Sequence, residues 1–263
     1  MISVHDFIAM KNEKKKIVML TCYNYTSAVI IEKTKIDCVL VGDSSSMLMH
    51  GASNTTFSTL EQIRSHTAAV ACGIKEKFII ADLPFMSYHK STRQTLEAVE
   101  ILVRAGAHAV KLEGASPETL ETITNILNTG VPIVGHLGLT PQHIHQLGGF
   151  KVQGKTAIAE KQLLEQAKQL EQAGCFCVVL ECIPAKLAEM ITQSLSIPTI
   201  GIGAGPNTDG QVMVFHDLLG LQTKIKPKFV KHYLNGEALF VESIEQYAQD
   251  VKLKQFPKQQ QSY

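Results

Sequence analysis

The stretch Cys38-Val39-Leu40-Val41-Gly42-Asp43-Ser44 joins a short apolar run to a glycine and an aspartate. The apolar half has the length and composition of a buried strand, and such a strand needs no carboxylate where it ends. A single aspartate in this position is typical of a helix cap or a turn. If the pattern recurs at regular spacing along the chain, it indicates a functional site instead.

Apolar runs rich in valine and isoleucine recur throughout the chain. They lie at residues 17–21, 37–42, 77–82, 107–112, 131–135, 175–180, 197–202 and 211–215. Several are apolar throughout, as parallel strands covered on both faces are. Periodicity and capping residues predict helices between them at residues 59–72, 91–105 and 116–129. About eight alternations of strand and helix predict an α/β fold, the (β/α)8 TIM barrel, and a doubly wound open sheet is the alternative that periodicity leaves open.

The domain organisation follows from the same regularity. Segments 104–114 and 172–182 align as helix end, turn, strand and carboxylate, which indicates one repeated βα unit rather than two domains. The chain has 263 residues, of which 45% are hydrophobic, and this suffices for one large core. We therefore expect a single barrel domain over residues 1–263, with a loose polar tail from about residue 252.

Charge and composition argue against several classes of partner. Lys+Arg number 25 against 24 Asp+Glu, so no excess charge draws the chain to nucleic acid or to an anionic membrane. Its apolar runs are far shorter than the roughly 18 residues of a membrane-spanning helix. The six cysteines form no CxxC pair and lie mostly in apolar segments, as reduced thiols do. The expected protein is cytoplasmic, with no nucleic-acid or membrane partner.

Titratable side chains follow five consecutive predicted strands. Strands two to six end at Asp43, Asp82, Glu113, His136 and Glu181. In a parallel barrel these ends meet at the C-terminal mouth, where barrel enzymes keep their catalytic groups. Five successive occurrences are hard to attribute to helix capping, so an active site is expected at this mouth.

Several carboxylates that converge in a partly buried mouth repel one another unless a positive group offsets them. Carboxylate oxygens without thiols or paired histidines suit a hard divalent ion, and Mg²⁺ is the expected one. Asp43 and Asp82 are its first expected ligands, and Glu113 could bind it directly or through water. Lys111 shares a strand face with Glu113 and is expected inside the barrel. It would either reach a carboxylate at the bottom or surface, or hold a carboxylate or phosphate of a ligand.

A series of short motifs occurs in order between about Tyr23 and Phe229. They are VGDS (41–44), HTAAV (66–70), ADLPFMSY (81–88), RAGAHAVKLEG (104–114), GHLGLTPQ (135–142), GGFKVQGK (148–155), LECIP (180–184), IPTIGIGAG (197–205), DGQVMVFHD (209–217) and PKF (227–229). Together they resemble the ketopantoate hydroxymethyltransferase (3-methyl-2-oxobutanoate hydroxymethyltransferase) family. GHLGLTPQ followed by GGFKVQGK is the most specific pair.

This resemblance implies a (β/α)8 barrel of the phosphoenolpyruvate/pyruvate superfamily that assembles as a homodecamer. It implies transfer of a hydroxymethyl group from 5,10-methylenetetrahydrofolate to 3-methyl-2-oxobutanoate. The products would be 2-dehydropantoate and tetrahydrofolate, in pantothenate biosynthesis. Mg²⁺ would assist enolisation of the keto acid before an aldol-type attack. Two alternatives remain: another Mg²⁺-dependent keto-acid enolising lyase of the same superfamily, and a non-catalytic paralogue.

The resemblance also implies roles for individual residues. Mg²⁺ would be held by Asp43 and Asp82, with Glu113 in its outer shell, and Glu181 would be the general base. The residues implied for substrate binding are Ser44, Asp82, Lys111 and His136.

The chain departs from the family pattern just after Asp43. The family often has leucine and glycine where this chain has Ser45 and Ser46. It usually has an aromatic residue and an aspartate where this chain has Ala52 and Ser53. If the usual glycine adopts a conformation that only glycine favours, Ser46 would strain the turn. The metal-binding and base residues are kept, so activity is still expected.

Overall fold

The computed structural model describes residues 2–222 and 227–263. Within these residues eight parallel strands close into a barrel, in which each strand pairs with the next and the last pairs with the first. The strands are β1 Ile17–Thr21, β2 Cys38–Val41, β3 Phe78–Asp82, β4 Ala109–Lys111, β5 Ile133–Gly138, β6 Cys177–Glu181, β7 Thr199–Ile202 and β8 Gly210–Met213. The predicted (β/α)8 barrel is confirmed, and the doubly wound open sheet is wrong because β1 and β8 are hydrogen-bonded.

Helices accompany the strands along the chain. They are α1 Val4–Asn12, α2 Tyr25–Glu32, α3 Ser45–His50, α4 Leu60–Gly73, α5 Thr92–Arg104, α6 Pro117–Leu127, α7 Ile144–Leu147, α8 Ala157–Gln172 and α9 Ala185–Ser194. The three helices predicted from periodicity and capping correspond to α4, α5 and α6. Strands β2, β3 and β4 are buried at every position, as parallel strands covered on both faces are. Within the described ranges, no helix is both long and apolar enough to span a bilayer.

Two compact units are present, and the barrel lies in the first, Met1–Met213. The second, Val214–Tyr263, contains α10 Phe215–Leu218 and α11 Gly236–Lys252, followed by a short 3-10 segment. Residues 251–263 are exposed throughout. The single domain with a loose tail stays a prediction.

Phe7 of α1 fills the N-terminal end of the barrel. Its ring centroid lies 5.4 Å from that of Phe78 and 5.3 Å from that of Phe176, both in edge-to-face contact. Asp6 Oδ2 accepts hydrogen bonds from the backbone N–H and hydroxyl of Ser3, which fixes the first turn of α1. Sequence periodicity does not predict this helix, because Phe7 is its one fully buried residue. The aromatic cluster closes the end of the barrel opposite the polar strand ends.

Candidate active site

Asp43 follows β2 directly and points its carboxylate across the barrel mouth. Its Oδ2 accepts a hydrogen bond from Gln142 Nε2 at 2.8 Å, and its backbone N–H donates to Asp82 Oδ2 at 3.0 Å. The preceding Gly42 leaves the space for this arrangement, since a Cβ there would lie 2.9 Å from Ser44 Oγ. The end of β2 is therefore shaped for contacts across the mouth rather than for capping the next helix.

The other titratable strand ends join the same network. Lys111 Nζ lies 3.0 Å from Asp82 Oδ1 and 3.3 Å from His136 Nδ1. His136 Nδ1 lies 3.4 Å from Glu113 Oε1, and its Nε2 lies 3.2 Å from Glu181 Oε2. The side chains of Lys111, Asp82, Glu113 and His136 are each at most 5% exposed. The ends of five consecutive strands thus form one continuous polar cluster.

Lys111 lies in the barrel interior, as its shared strand face with Glu113 predicts. Its partner is Asp82 at the mouth, not a carboxylate at the bottom or surface of the barrel. Burial lowers the pKa of the Lys111 ammonium, but the charges of Asp82, Glu113 and Asp43 outweigh burial and raise it above its ordinary value. Lys111 is therefore a permanent cation under the carboxylates of the mouth.

The three carboxylates proposed as metal ligands have unequal environments. Burial and the charges of Asp82 and Glu113 raise the pKa of Asp43 well above its ordinary value. Burial also raises the pKa of Glu113, but its contacts with His136 and His143 outweigh burial and bring it to about 2. Glu113 is therefore ionised, whereas the negative charges of Asp82 and Glu113 disfavour ionisation of Asp43.

His136 supplies the second positive charge of the mouth. Burial and the charge of Lys111 lower its pKa, whereas its contacts with Glu113 and Glu181 raise the pKa to about 9. Two cationic side chains thus face four carboxylates. This imbalance favours one more cation at the mouth, or a proton on one of the carboxylates.

The donor set fits a hard divalent ion, although one oxygen of each of the three carboxylates accepts a hydrogen bond from a protein N–H group. Within residues 2–222 and 227–263, no group of three or more His, Cys, Asp or Glu side chains is arranged to hold a metal ion. Asp82 Oδ1 and Glu113 Oε1 accept no aligned hydrogen bond from the described part of the chain, although each faces a cationic group. Buried carboxylate oxygens with unused lone pairs are the donors that Mg²⁺ prefers. The magnesium site itself stays a prediction.

Gln142 links two of the proposed metal ligands, and the sequence did not single it out. Its Nε2 donates to Asp43 Oδ2, and its backbone N–H donates to Glu113 Oε2 at 3.0 Å. Tyr88 OH donates to Gln142 Oε1 at 2.8 Å, and it accepts from the Glu113 N–H at 3.3 Å. Both residues lie within quoted motifs, ADLPFMSY and GHLGLTPQ, which is the signal that could have found them. They come from loops after strands rather than from strand ends.

Ser44, predicted to bind substrate, lies next to Asp43 at the mouth. Its Oγ is 2.8 Å from Tyr23 OH, and either oxygen could be the donor. Tyr23 is 1% exposed, and burial raises the pKa of its phenol above the ordinary value. The phenol is therefore neutral and holds the serine hydroxyl in place.

The pair Ser45-Ser46, where the resemblance to the family implies leucine and glycine, is accommodated without backbone strain at Ser46. Ser46 lies in α3 and is not among the residues with positive φ, so the expected strain is wrong. Its side chain is buried, and Oγ lies 2.8 Å from the Asp43 carbonyl oxygen and 3.2 Å from the Asn54 carbonyl oxygen, which share its one proton. The hydroxyl thus connects Asp43 to the loop that follows α3.

Placing glycine at position 46 is expected to destabilise this chain. Ser46→Ala should lower the free energy of unfolding by about 1 kcal/mol, the net value of a buried hydrogen bond. Ser46→Gly should cost up to about 1 kcal/mol more, because glycine loses more backbone freedom than alanine when it is held in a helix. Urea unfolding of both variants beside the parent measures this. A glycine variant as stable as the parent would contradict a stabilising role for the hydroxyl.

Solved structures of other proteins share this architecture at low sequence identity. A phosphonopyruvate hydrolase, solved in complex with oxalate and Mg²⁺, superposes with a TM-score of 0.65 at 10% identity, covering 99% of this chain and 93% of that one. A 2,3-dimethylmalate lyase of the PEP mutase/isocitrate lyase superfamily superposes with a TM-score of 0.64 at 14% identity, covering 95% and 89%. The fold of this chain is therefore the (β/α)8 barrel that these two enzymes share.

Comparison of the sequence with known proteins identifies the family within this fold. The family model described as ketopantoate hydroxymethyltransferase matches residues 1–259. The 3-methyl-2-oxobutanoate hydroxymethyltransferase of Legionella pneumophila strain Philadelphia 1 is 54% identical over 260 residues, covering 99% of both chains. That of Francisella tularensis subsp. novicida is 55% identical over 261 residues, covering 99% of this chain and 98% of the relative. The chain belongs to the ketopantoate hydroxymethyltransferase family.

Family membership decides between the alternatives left open by the sequence. Relatives over nearly the whole length are hydroxymethyltransferases, so this chain is an enzyme of the transferase class. Neither a different keto-acid lyase nor a non-catalytic paralogue is favoured.

Proposed function

We propose that this enzyme transfers a hydroxymethyl group from 5,10-methylenetetrahydrofolate to 3-methyl-2-oxobutanoate, giving 2-dehydropantoate and tetrahydrofolate. Membership of the family supports the reaction. The proposed roles of individual residues rest on one observation, a continuous series of side-chain and backbone contacts across the mouth. The series runs from Asp43 to Asp82, Lys111, His136 and Glu181. Such a cluster can hold an anionic keto acid and accept a proton from it.

The proposed Mg²⁺ ligands are Asp43 and Asp82, with Glu113 in the outer shell. When bound there, Mg²⁺ would stabilise negative charge that develops on the keto oxygen of the substrate. Two observations support this metal site. Buried carboxylates outnumber the cationic side chains at the mouth, and Asp82 Oδ1 and Glu113 Oε1 accept no well-aligned hydrogen bond from the described residues. We propose that Lys111 and Ser44 bind the substrate carboxylate, with Asp82 and His136 also in contact. Fixing the carboxylate restricts the keto acid to one orientation.

Glu181 is the proposed general base for the C3 proton. Its side chain is 17% exposed, and its Oε2 lies beside His136 Nε2 on the far side of the cluster from Asp43. Glu181 is thus separate from the proposed metal ligands and remains available to take a proton. The nucleophilic C3 then forms a bond to the methylene carbon, both C–N bonds that join this carbon to the folate break, and water supplies the new hydroxyl. The proton taken from C3 and one proton of the water balance the two N–H groups of tetrahydrofolate.

Deuterium exchange at C3 isolates proton abstraction from the folate step. Incubated with 3-methyl-2-oxobutanoate in D₂O, the enzyme should catalyse exchange with Mg²⁺ and lose it in EDTA, as followed by NMR. If the parent shows no exchange, adding tetrahydrofolate tests whether folate must bind first. Absence of exchange under every condition would overturn the proposed enolisation. Formation of 2-dehydropantoate with methylenetetrahydrofolate checks the full reaction.

Gln142→Leu is expected to weaken Mg²⁺ binding about 10–100-fold, because the amide that orients Asp43 is lost. Calorimetric titration with Mg²⁺ and the Mg²⁺ dependence of deuterium exchange measure the change. Tyr88→Phe is the matched control, since it removes a hydroxyl from Gln142 but leaves the Gln142–Asp43 bond. Equal Mg²⁺ affinity in Gln142→Leu and the parent would refute the orienting role.

We further propose that the enzyme assembles as a homodecamer and works in the cytoplasm. The resemblance to the family supports the decamer. The six free cysteines support the cytoplasm, where thiols stay reduced. Sedimentation equilibrium gives the number of subunits directly.

A further inference from the structure

Two histidines from different helices face each other beside the barrel mouth. His50 ends α3, and His66 lies in α4. Their Nε2 atoms are 3.1 Å apart, with ring centroids at 5.3 Å and planes inclined by 54°. His50 is exposed and His66 is half-buried, so the pair is reachable from solvent.

The tautomer of His66 is fixed by its other nitrogen. His66 Nδ1 lies 2.6 Å from the Tyr23 carbonyl oxygen, which can only accept, so Nδ1 carries the proton. In the neutral ring, Nε2 then has a free lone pair directed at His50. A backbone carbonyl that holds the far nitrogen is the usual support of a metal-binding histidine. Burial and the nearby His50 lower the pKa of His66, which favours this neutral form.

The separation of the two nitrogens suits a shared metal ion. Two imidazoles at about 2.0–2.1 Å from one ion lie about 3.3 Å apart in tetrahedral geometry and about 2.9 Å apart as neighbours in square-planar geometry. The observed Nε2–Nε2 distance lies between these values. Without metal, an N–H···N hydrogen bond from His50 to His66 accounts for the same distance.

We propose that His50 and His66 form a two-histidine site for a first-row transition-metal ion such as Ni²⁺, Cu²⁺ or Zn²⁺. Imidazole nitrogen suits these ions, whereas Mg²⁺ prefers oxygen, so the site differs in selectivity from the carboxylate mouth. Solvent completes the coordination, since the described residues contain no group of three or more candidate ligands at one metal position.

Metal at this pair would join the end of α3 to α4 near the active site. Helix α3 begins two residues after Asp43, and Tyr23, which holds His66 through its carbonyl, contacts Ser44 through its phenol. The ion would therefore restrain the segment that presents Asp43 and Ser44. Transition-metal binding is expected to raise the thermal unfolding midpoint.

Titration of the parent and of His50→Gln with Ni²⁺, both in the presence of saturating Mg²⁺, tests the site, because the difference between them isolates binding at the histidine pair from binding at the carboxylate mouth. Calorimetry should detect Ni²⁺ binding to the parent. The Ni²⁺ affinity should fall about tenfold or more in His50→Gln, because one of the two ligands is lost. The glutamine amide can still donate to His66 Nε2, so a purely hydrogen-bonded pair is kept in this variant. His5→Gln, an exposed histidine of α1, is the matched control and should bind as the parent does.

Electron paramagnetic resonance of the Cu²⁺-loaded protein identifies the ligands. Coupling to two imidazole nitrogens in the parent and to fewer in His50→Gln is the expected result. His66→Gln should lose the coupling to one imidazole nitrogen in the same way. If His66→Gln does not fold, His50→Gln alone still tests the site. Equal Ni²⁺ affinity in His50→Gln and the parent, or a Cu²⁺ spectrum unchanged by His50→Gln, would overturn the proposal.

Discussion

Replacing Glu181 by glutamine is expected to slow C3 deuteration of 3-methyl-2-oxobutanoate by about 10²–10⁴-fold, the usual contribution of a general base. Glutamine keeps the size of the side chain and an oxygen for contact with His136 Nε2, but it cannot take a proton at neutral pH. The loss should therefore appear in the rate constant for exchange rather than in the concentration of keto acid needed for saturation. NMR in D₂O with saturating Mg²⁺ measures both quantities.

The control for this variant is Glu165→Gln, which removes an exposed carboxylate of α8. It should exchange as fast as the parent. A Mg²⁺ titration of Glu181→Gln should give the affinity of the parent, since Glu181 is not a proposed ligand. If Glu181→Gln retains the exchange rate of the parent, another group is the base. If it loses Mg²⁺ binding instead, Glu181 belongs to the metal site.

Lys111→Met is expected to lower the free energy of unfolding by about 3–5 kcal/mol, the range for removing one partner of a buried ion pair. Methionine fills most of the space, but Asp82 Oδ1 loses its cation at 3.0 Å while remaining buried. The neighbouring carboxylates then repel one another with only His136 as counter-charge. Urea unfolding measures the difference, with the exposed Lys161→Met as control.

Two further measurements separate charge from packing in Lys111→Met. Adding Asp82→Asn to Lys111→Met should recover part of the lost stability, because the unpaired carboxylate disappears. Adding Mg²⁺ should stabilise Lys111→Met, since a cation that binds only the folded state shifts the equilibrium toward it. No recovery in the double variant would mean that lost packing, not unpaired charge, causes the effect.

The strands were predictable because parallel barrel strands are apolar on both faces. The runs at 37–42 and 77–82 differ from β2 and β3 only at their first or last residues. Closure was predicted only from the number of alternating strands and helices, since the pairing of Ile17 with Gly210 leaves no local trace in the sequence. The same holds for α1, whose contribution to the core is one aromatic ring.

The strand-end groups of the site could be found by listing where each strand ends. The structure brings together Asp43, Asp82, Lys111, Glu113, His136 and Glu181, and their chemical roles remain predictions. Gln142 could not be found this way, because a loop after β5 carries it back to Asp43. Gln142 matters because it lies close to Asp43 in space, and the spacing of residues along the chain does not show this proximity.

The aromatic cluster at the bottom of the barrel has a consequence for synthesis of the chain on the ribosome. Phe7 is made long before its partner Phe176, which emerges only after β5 is complete, and β8 must follow before β1 is paired on both edges. Contacts between such distant segments make folding slow. Until Phe176 has been made, the ring of Phe7 lacks one of the two phenylalanine partners against which it packs in the barrel. The aromatic packing that closes the bottom of the barrel is therefore completed late in synthesis of the chain.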